Sequence, residues 1–207
     1  MFSKLQYISQ GDTVKQQLYN IHQALDNGCD WIQLRFKKGN ISDDFTLAEA
    51  VKILCDEYLA TFIINDKVYL TQEINADGVH LGLTDMKIKD ARKILGDDKI
   101  IGGTANTLQD VLQRATEKCD YIGLGPLRFT ATKENLSPIL GIKGYQEIIA
   151  KLSEQNITIP VYAIGGIQTN DIESLQEIGV HGIAVSGLIT EQPQLITQLN
   201  HNLYVNL

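Results

Sequence analysis

Cysteine is scarce in this chain, and so are the signals of secretion and membrane insertion. Among 207 residues there are three cysteines, Cys29, Cys55 and Cys119, and they lack the spacing of a metal site. Their odd, sparse number is typical of a reducing compartment, where thiols act as small buried apolar groups. No run approaches about 18 consecutive apolar residues, and the opening segment MFSKLQYISQGD has no signal-peptide pattern. These absences predict a cytoplasmic protein that does not enter a membrane.

An excess of positive charge is also missing. The 25 acidic and 18 basic residues give a formal net charge of −7, whereas a nucleic-acid binder is more often basic. We therefore expect no nucleic-acid partner, and any anion site must be local, built from a few cations and backbone N–H groups. The four histidines form no ligand cluster in the sequence; they are His22, His80, His181 and His201.

What the chain does contain is a repeated alternation of short strands and helices. Four segments share a polar residue, a short apolar or alternating run and a closing Gly or polar residue: NGCDWIQLR, NADGVHLGL, EKCDYIGLG and VHGIAVSG. A second set of strands lies between them: KLQYIS, ATFIIND, KIIGGTAN and IPVYAIGGI. The intervening segments have apolar residues at three- and four-residue spacing, which predicts helices: VKQQLYNIHQALDNG, DDFTLAEAVKILCDEYLA, KIKDARKILG, TLQDVLQRATEK, YQEIIAKLSEQN, NDIESLQEIG and PQLITQLNHNL.

Strands that alternate with helices predict parallel βα units. About eight such units in a chain of 207 residues match the size of a (β/α)8 barrel. The expected fold is therefore an α/β TIM barrel that forms a single domain over residues 1–207, and a doubly wound sheet is the alternative. In such a barrel the active site lies at the C-terminal ends of the strands.

The second predicted strand ends in a row of polar side chains. In CDWIQLRFKKGN, alternation places Gln33, Arg35 and Lys37 on one face and apolar residues on the other. Both faces of a barrel strand are covered, so a polar row there is costly unless it meets partners. The row is either a solvated strand end, with Lys37 and Lys38 in water, or the lining of an anion site.

Carboxylates follow the next two strands. FIINDK places Asn65 and Asp66 after the third strand, and GVHLGLTD places Asp85 after the fourth. Taken singly, Asn-Asp is common turn chemistry and Asp85 could cap a helix that starts near Met86. Taken together, two carboxylates on adjacent strand ends, beside a cationic one, favour Mg2+ bound through carboxylates and substrate phosphates.

The fifth and sixth strand ends also have polar groups. IIGGTANT offers Thr104 and Asn106 as hydrogen-bonding groups, and its two glycines permit a close approach of the backbone. YIGLGPLRFTATKEN opens a long loop that contains Thr130, Thr132 and Lys133. Such a loop is either a functional lid or a tolerated surface insertion.

The last two strands end in small residues. YAIGGIQTND places Gly165 and Gly166 before a helix, and IAVSGLI places Ser186 and Gly187 likewise. Loops after strands seven and eight form the recurrent phosphate site of these barrels, although tight turns alone would explain either segment. The strand ends thus predict two anion sites at one barrel mouth, as an enzyme that joins a diphosphate substrate to a phosphorylated one would need.

In order and spacing, these motifs resemble those of the thiamine-phosphate synthase family, also called thiamine-phosphate pyrophosphorylase. The motifs are QLRFK, FIIND, DGVHLG with Asp85, YIGLGP with TATK, IGGI and VSG, and the likeness extends from LQYIS to AVSGLI. The resemblance implies that 4-amino-2-methyl-5-hydroxymethylpyrimidine diphosphate loses diphosphate in a dissociative, Mg2+-dependent step. The nitrogen of a thiazole phosphate then attacks the exposed methylene carbon, which gives thiamine phosphate.

The resemblance also implies roles for individual residues. Those that match the family's diphosphate cradle are Arg35, Lys37, Asn65 and Lys133, and the Mg2+ ligands are Asp66 and Asp85. Contacts to the pyrimidine and its leaving group match Gln33 and Thr104. The positions around the thiazole phosphate are Thr130, Thr132, Gly165, Gly166, Ser186 and Gly187. The catalytic candidates in this set are Arg35, Lys37, Lys133 and Thr104.

The chain departs from the family pattern at a few positions. Leu83 replaces a frequent Gln, Asn106 replaces the His of a Ser-x-His segment, and Arg128-Phe129 replaces an aromatic-Pro pair. A related thiazole tautomerase tends to lose the acidic ligands and to use that His as its acid-base group, which Asn106 cannot replace. A non-catalytic thiazole-phosphate-binding protein is a further alternative. The family is often dimeric, so by analogy we expect a homodimer.

Overall fold

In the computed structural model, which describes residues 2–129 and 138–205, eight parallel strands close into a barrel. Each strand pairs with the next, and β1 pairs with β8, with Leu5 opposite Ile183. The strands are β1 Leu5–Ile8, β2 Trp31–Leu34, β3 Thr61–Asn65, β4 Gly78–Leu81, β5 Ile100–Ala105, β6 Tyr121–Leu124, β7 Val161–Ile164 and β8 Gly182–Val185. The predicted TIM barrel is confirmed, and the doubly wound alternative is wrong.

Helices cover the outside of the barrel. They are α1 Val14–Asp26, α2 Ile41–Glu57, α3 Val68–Ile74, α4 Ile88–Leu95, α5 Leu108–Thr116, α6 Gly141–Glu154, α7 Ile172–Ile178, α8 Gly187–Glu191 and α9 Leu195–Val205, and a 3-10 turn, Thr169–Asp171, precedes α7. Thr13 and Asn40 cap α1 and α2 by accepting N–H groups of the first turn, and Thr107 forms a capping box with Asp110 at α5. The sequence pattern did not predict α3 or α8, which are too short to show helical periodicity.

The strands contribute side chains to two layers. On the outer side, apolar residues pack between the strands and helices. Inside the barrel, Trp31, Tyr121 and Tyr162 form a cluster with ring centroids 5.0 to 5.6 Å apart. Because side chains alternate along a strand, this inner layer continues upward to Gln33 and Thr104, two residues above Trp31 and Gly102. The inner face is thus aromatic near the N-terminal ends of the strands and polar near their C-terminal ends.

The three cysteines are free thiols, and all are buried. Burial raises the pKa of Cys29, Cys55 and Cys119 to about 12, so these thiols stay protonated. Their predicted role as small buried apolar groups is confirmed. Within residues 2–129 and 138–205, no helix combines the length and apolar character needed to span a bilayer.

Candidate active site

The polar row of β2 lies at the top of the barrel. Gln33 is buried in the interior, Arg35 is half-buried, and Lys37 is exposed at the mouth. Two buried side chains fix the backbone here: Ser9 Oγ accepts the Arg35 N–H at 2.9 Å, and Gln17 Nε2 donates to the Arg35 carbonyl at 3.2 Å. The strand therefore runs rigidly from the interior to the mouth, where the two cations lie.

Asp66 and Asp85 come together beside these cations. Their carboxyls hydrogen-bond to one another, and Lys37 and Arg35 lie close enough to act on Asp66 electrostatically. Partial desolvation, the hydrogen bond to Asp85 and the Asp85 charge raise the pKa of Asp66 to about 7, against the opposing effect of the two cations. In the metal-free protein the Asp66 carboxyl therefore keeps its proton up to near-neutral pH.

The backbone holds both carboxyls in place. Asp66 has a left-handed φ of 67°, and its N–H donates to the His80 carbonyl at 2.9 Å. Asp85 Oδ2 accepts the Gly82 N–H at 2.6 Å. Helix α4 begins only at Ile88, so the alternative in which Asp85 caps a helix near Met86 is wrong. A strained residue and a fixed carboxylate are typical of a functional site.

The donor set fits a divalent cation of the Mg2+ type. Two like-charged carboxyls that converge on one point repel one another unless a proton or a cation lies between them. In the part of the chain that the structure describes, no group of three or more His, Cys, Asp or Glu could hold a metal. A cation at Asp66 and Asp85 would thus take its other ligands from water and substrate phosphate, as Mg2+ commonly does.

Arg114, which the sequence pattern assigned only to a helix, supports this edge from outside the barrel. It is 4% exposed, and its Nη2 donates to the Gly82 carbonyl at 2.9 Å while Nε donates to the Thr104 carbonyl at 3.1 Å. Glu117 accepts from Nη1 at 3.0 Å. One guanidinium therefore connects the ends of β4 and β5. The signal that could have revealed it is a basic residue on the same helix face as Val111.

Beneath the mouth, Thr104 and Gln33 belong to a chain of buried hydrogen bonds. His80 Nε2 lies 3.0 Å from Thr104 Oγ1, and His80 Nδ1 lies 3.0 Å from the Tyr121 hydroxyl. Gln6 Nε2 donates to that hydroxyl at 3.2 Å, and Gln33 Nε2 donates to Gln6 Oε1 at 2.9 Å. Sequence inspection missed His80, Tyr121 and Gln6, although each lies at an inward position of its strand.

The loops after β7 and β8 lie side by side. Gly165 and Gly166 have φ values of 87° and 71°, and Ser186 immediately precedes α8, with its buried Oγ lacking a partner among the described residues. Arg128 lies over the first loop, since its N–H donates to the Gly165 carbonyl at 3.0 Å and its guanidinium pairs with Asp171 at 2.5 and 2.6 Å. The structure thus brings together the predicted phosphate loops.

Three of the predicted site residues lie outside the residues that the structure describes. Thr130, Thr132 and Lys133 belong to residues 130–137, which lie outside the described ranges. Asn65 is half-buried at the end of β3, next to Asp66, and Gly187 opens α8. Like Asn65 and Gly187, the other predicted site residues within the described ranges lie at or just below the C-terminal end of the barrel.

Comparison with known proteins agrees with this geometry. The model of a family described as thiamine monophosphate synthase matches residues 5–189. A thiamine-phosphate synthase of Flavobacterium johnsoniae is 62% identical over 210 residues, covering 100% of this chain and 99% of the relative. That of Flavobacterium psychrophilum is 63% identical over 206 residues, covering 98% and 100%. The solved thiamine phosphate pyrophosphorylase from Pyrococcus furiosus has a TM-score of 0.84 at 27% identity, covering 97% and 96%. The chain belongs to the thiamine monophosphate synthase family.

Proposed function

We propose that the protein condenses 4-amino-2-methyl-5-hydroxymethylpyrimidine diphosphate with thiazole phosphate, in the presence of Mg2+, to give thiamine phosphate and diphosphate. Its family and its relatives of 62% and 63% identity make it an enzyme, a transferase of thiamine biosynthesis. The observation that supports the finer proposal is the convergence of Asp66 and Asp85 next to Lys37 and Arg35. Such a group of charges suits a departing diphosphate and its metal ion.

The cations and carboxylates would act on the leaving group. Bound at Asp66 and Asp85, Mg2+ would neutralise negative charge on the diphosphate oxygens. Arg35 and Lys37 would extend this positive field at the mouth, and Asn65 would donate a hydrogen bond to the diphosphate. We assign Lys133 to the same cradle by its match to the family motif. Because these charges are fixed before the substrate binds, they would stabilise the charge-separated transition state more than the intact diphosphate ester.

The bond changes need no covalent participation by the protein. The bond between the methylene carbon and the diphosphate oxygen breaks, and its electron pair leaves with diphosphate. The lone pair of the thiazole nitrogen then forms the new bond to the methylene cation. Gln33 and Thr104 would hold the pyrimidine below the diphosphate site, so the contribution of the chain is positioning and electrostatic stabilisation.

The second substrate would bind across the mouth. Its phosphate would lie among Gly165, Gly166, Ser186 and Gly187, and we add Thr130 and Thr132 by their match to the family motif. Ser186 Oγ has no hydrogen-bond partner among residues 2–129 and 138–205, which supports this assignment, because a phosphate oxygen would accept its proton. The two substrates would thus approach one another from opposite sides of the barrel.

Asn106 favours this function over a tautomerase. Its side-chain amide donates to the Gly125 carbonyl, so it acts as a structural tie between β5 and β6. An amide does not titrate near neutral pH and cannot move the proton that isomerisation requires. By analogy with the family, we also propose a homodimer in the cytoplasm.

Turnover is the direct test. Purified protein is mixed with the pyrimidine diphosphate, thiazole phosphate and Mg2+, and the product is oxidised to fluorescent thiochrome. We expect a signal that requires both substrates and disappears with a chelator. Asp98→Asn, which removes an exposed carboxylate at the opposite end of the barrel, is the matched control for the metal ligands and should keep full activity. Folded protein without signal would contradict the synthase, and a signal insensitive to chelator would contradict the metal.

A further inference from the structure

The hydrogen-bonded chain inside the barrel extends from Gln33 to Thr104 through three residues for which the proposed mechanism has no use. These are Gln6, Tyr121 and His80, which are 1%, 0% and 6% exposed. The links measure 2.9 Å from Gln33 to Gln6, 3.2 Å from Gln6 to Tyr121 and 3.0 Å for each contact of His80. Buried polar groups destabilise the fold unless each has a hydrogen-bond partner, so this series of hydrogen bonds calls for a functional explanation.

Two glycines leave the space that the Tyr121 and His80 rings occupy. A Cβ at Gly102 would lie 2.1 Å from Tyr121 Cζ, and one at Gly123 would lie 3.2 Å from His80 Cε1. The sequence pattern suggested only that the glycines of β5 permit a close approach of the backbone. The structure instead uses Gly102 to admit the Tyr121 ring and Gly103 to admit Arg114, whose Cδ would be 2.9 Å from a Cβ.

The donors and acceptors determine which atom holds the proton at each step of this series of hydrogen bonds. The Tyr121 oxygen accepts an N–H group of Gln6, whose amide nitrogen cannot accept a proton in return, so the phenolic proton goes to His80 Nδ1. Burial raises the pKa of Tyr121 far above its usual range, which keeps that proton in place. His80 then has its proton on Nε2 and donates to Thr104 Oγ1.

Two groups at the top of the barrel are oriented as a result. The Thr104 oxygen accepts from His80, so its own proton is directed away from His80 and toward the site. Gln33 Nε2 donates to Gln6 Oε1, which fixes the orientation of the Gln33 amide and leaves its Oε1 as an acceptor. A donor and an acceptor side by side complement a ring nitrogen and an exocyclic amino group, as found together in an aminopyrimidine.

We propose that Tyr121 and His80 are positioning residues, which fix Thr104 as a donor and Gln33 as an acceptor toward the pyrimidine substrate. This inference rests on the proposed function, because it concerns the recognition of that substrate. It predicts that the two residues affect the pyrimidine diphosphate and not the thiazole phosphate. Neither residue touches substrate; each acts through its neighbour in the chain.

The first test compares two interior tyrosines. Tyr121→Phe removes the hydroxyl that joins the chain, whereas Tyr162→Phe removes one that donates to the Ser3 carbonyl at the other end of the barrel. We expect Tyr121→Phe to lower kcat/KM for the pyrimidine diphosphate about tenfold, the effect of one misplaced hydrogen bond. Its KM for thiazole phosphate should stay within about twofold of wild type, and Tyr162→Phe should change neither value. Equal behaviour of the two variants would overturn the proposal.

A second pair tests His80 and keeps the proposal falsifiable if Tyr121→Phe does not fold. In His80→Gln the side-chain nitrogen can occupy the place of Nε2 and donate to Thr104, whereas in His80→Asn it reaches only the place of Nδ1. We expect the Gln variant to keep most of the activity and the Asn variant to lose about tenfold in kcat/KM for the pyrimidine diphosphate. Equal losses would indicate a merely structural histidine. Inactive wild-type protein would instead overturn the proposed function.

Discussion

The Asp66 and Asp85 carboxyls hydrogen-bond to one another across the ends of β3 and β4. Two acids in contact can share a proton or a cation, but they cannot both be ionised without cost. The raised pKa of Asp66 is the consequence in the metal-free protein. Protonation and metal binding at this point of the barrel therefore compete with each other.

Mg2+ affinity should depend steeply on pH. Because the pKa of Asp66 is about 7, metal must displace a proton below that pH and none above it. We expect the affinity to rise by up to about tenfold per pH unit toward pH 7 and to level off above it. Calorimetric titration with Mg2+ between about pH 5.5 and pH 8 measures this, with Asp98→Asn as control. An affinity independent of pH would contradict the raised pKa of Asp66.

Asp66→Asn should abolish Mg2+-dependent turnover while leaving the fold intact. Asn tolerates the left-handed φ of 67°, so the loop keeps its conformation. In metal-free wild type, the raised folded-state pKa means that stability is lost as pH rises from about 4 to about 7. The variant lacks that loss, so its unfolding midpoint should exceed that of wild type at pH 8 more than at pH 4. Undiminished turnover would remove Asp66 from the metal site.

Gly82→Ala should weaken Mg2+ use at little cost to stability. The added Cβ would lie 2.8 Å from Asp85 Oδ2, so the carboxylate must move, and a side-chain tip moves easily. We expect the Mg2+ concentration for half-maximal turnover to rise several-fold, with an unfolding midpoint close to wild type. Thr84→Ala, on the exposed turn that follows, is the control and should behave as wild type. An unchanged Mg2+ requirement would show that the Asp85 position is not critical.

Arg114→Met should lower both stability and activity. It leaves the buried Thr104 carbonyl, the partly buried Gly82 carbonyl and Glu117 without their donor, which costs about 3 kcal/mol of unfolding free energy. Arg92→Met also removes bonds to two carbonyls and an acid, but near the start of β5, at the opposite end of the barrel. Urea unfolding and kcat/KM measured on both variants separate the effects. If Arg92→Met lost as much activity as Arg114→Met, general destabilisation would explain both.

The sequence predicted the barrel because its strands and helices have clear periods and because consecutive parallel strands must join through helices. It predicted Asp66, Asp85 and the cationic end of β2 because residues just past a barrel strand share one mouth. It did not predict Arg114, since a basic residue in an amphipathic helix is more often solvated. Whether Gly102 admits a ligand or the Tyr121 ring depends on the neighbouring strand, which local sequence does not specify.

Barrel closure has a consequence for the order of folding. Strand β1 depends on β8, and Lys4 donates its N–H to the Tyr204 hydroxyl at 3.0 Å, 200 residues along the chain. During synthesis β2 emerges soon after β1, but the other neighbour of β1 appears only when β8 has left the ribosome. Bringing β1 and β8 together requires the closure of a long loop, so the sheet must remain open at β1 until β8 has been synthesised.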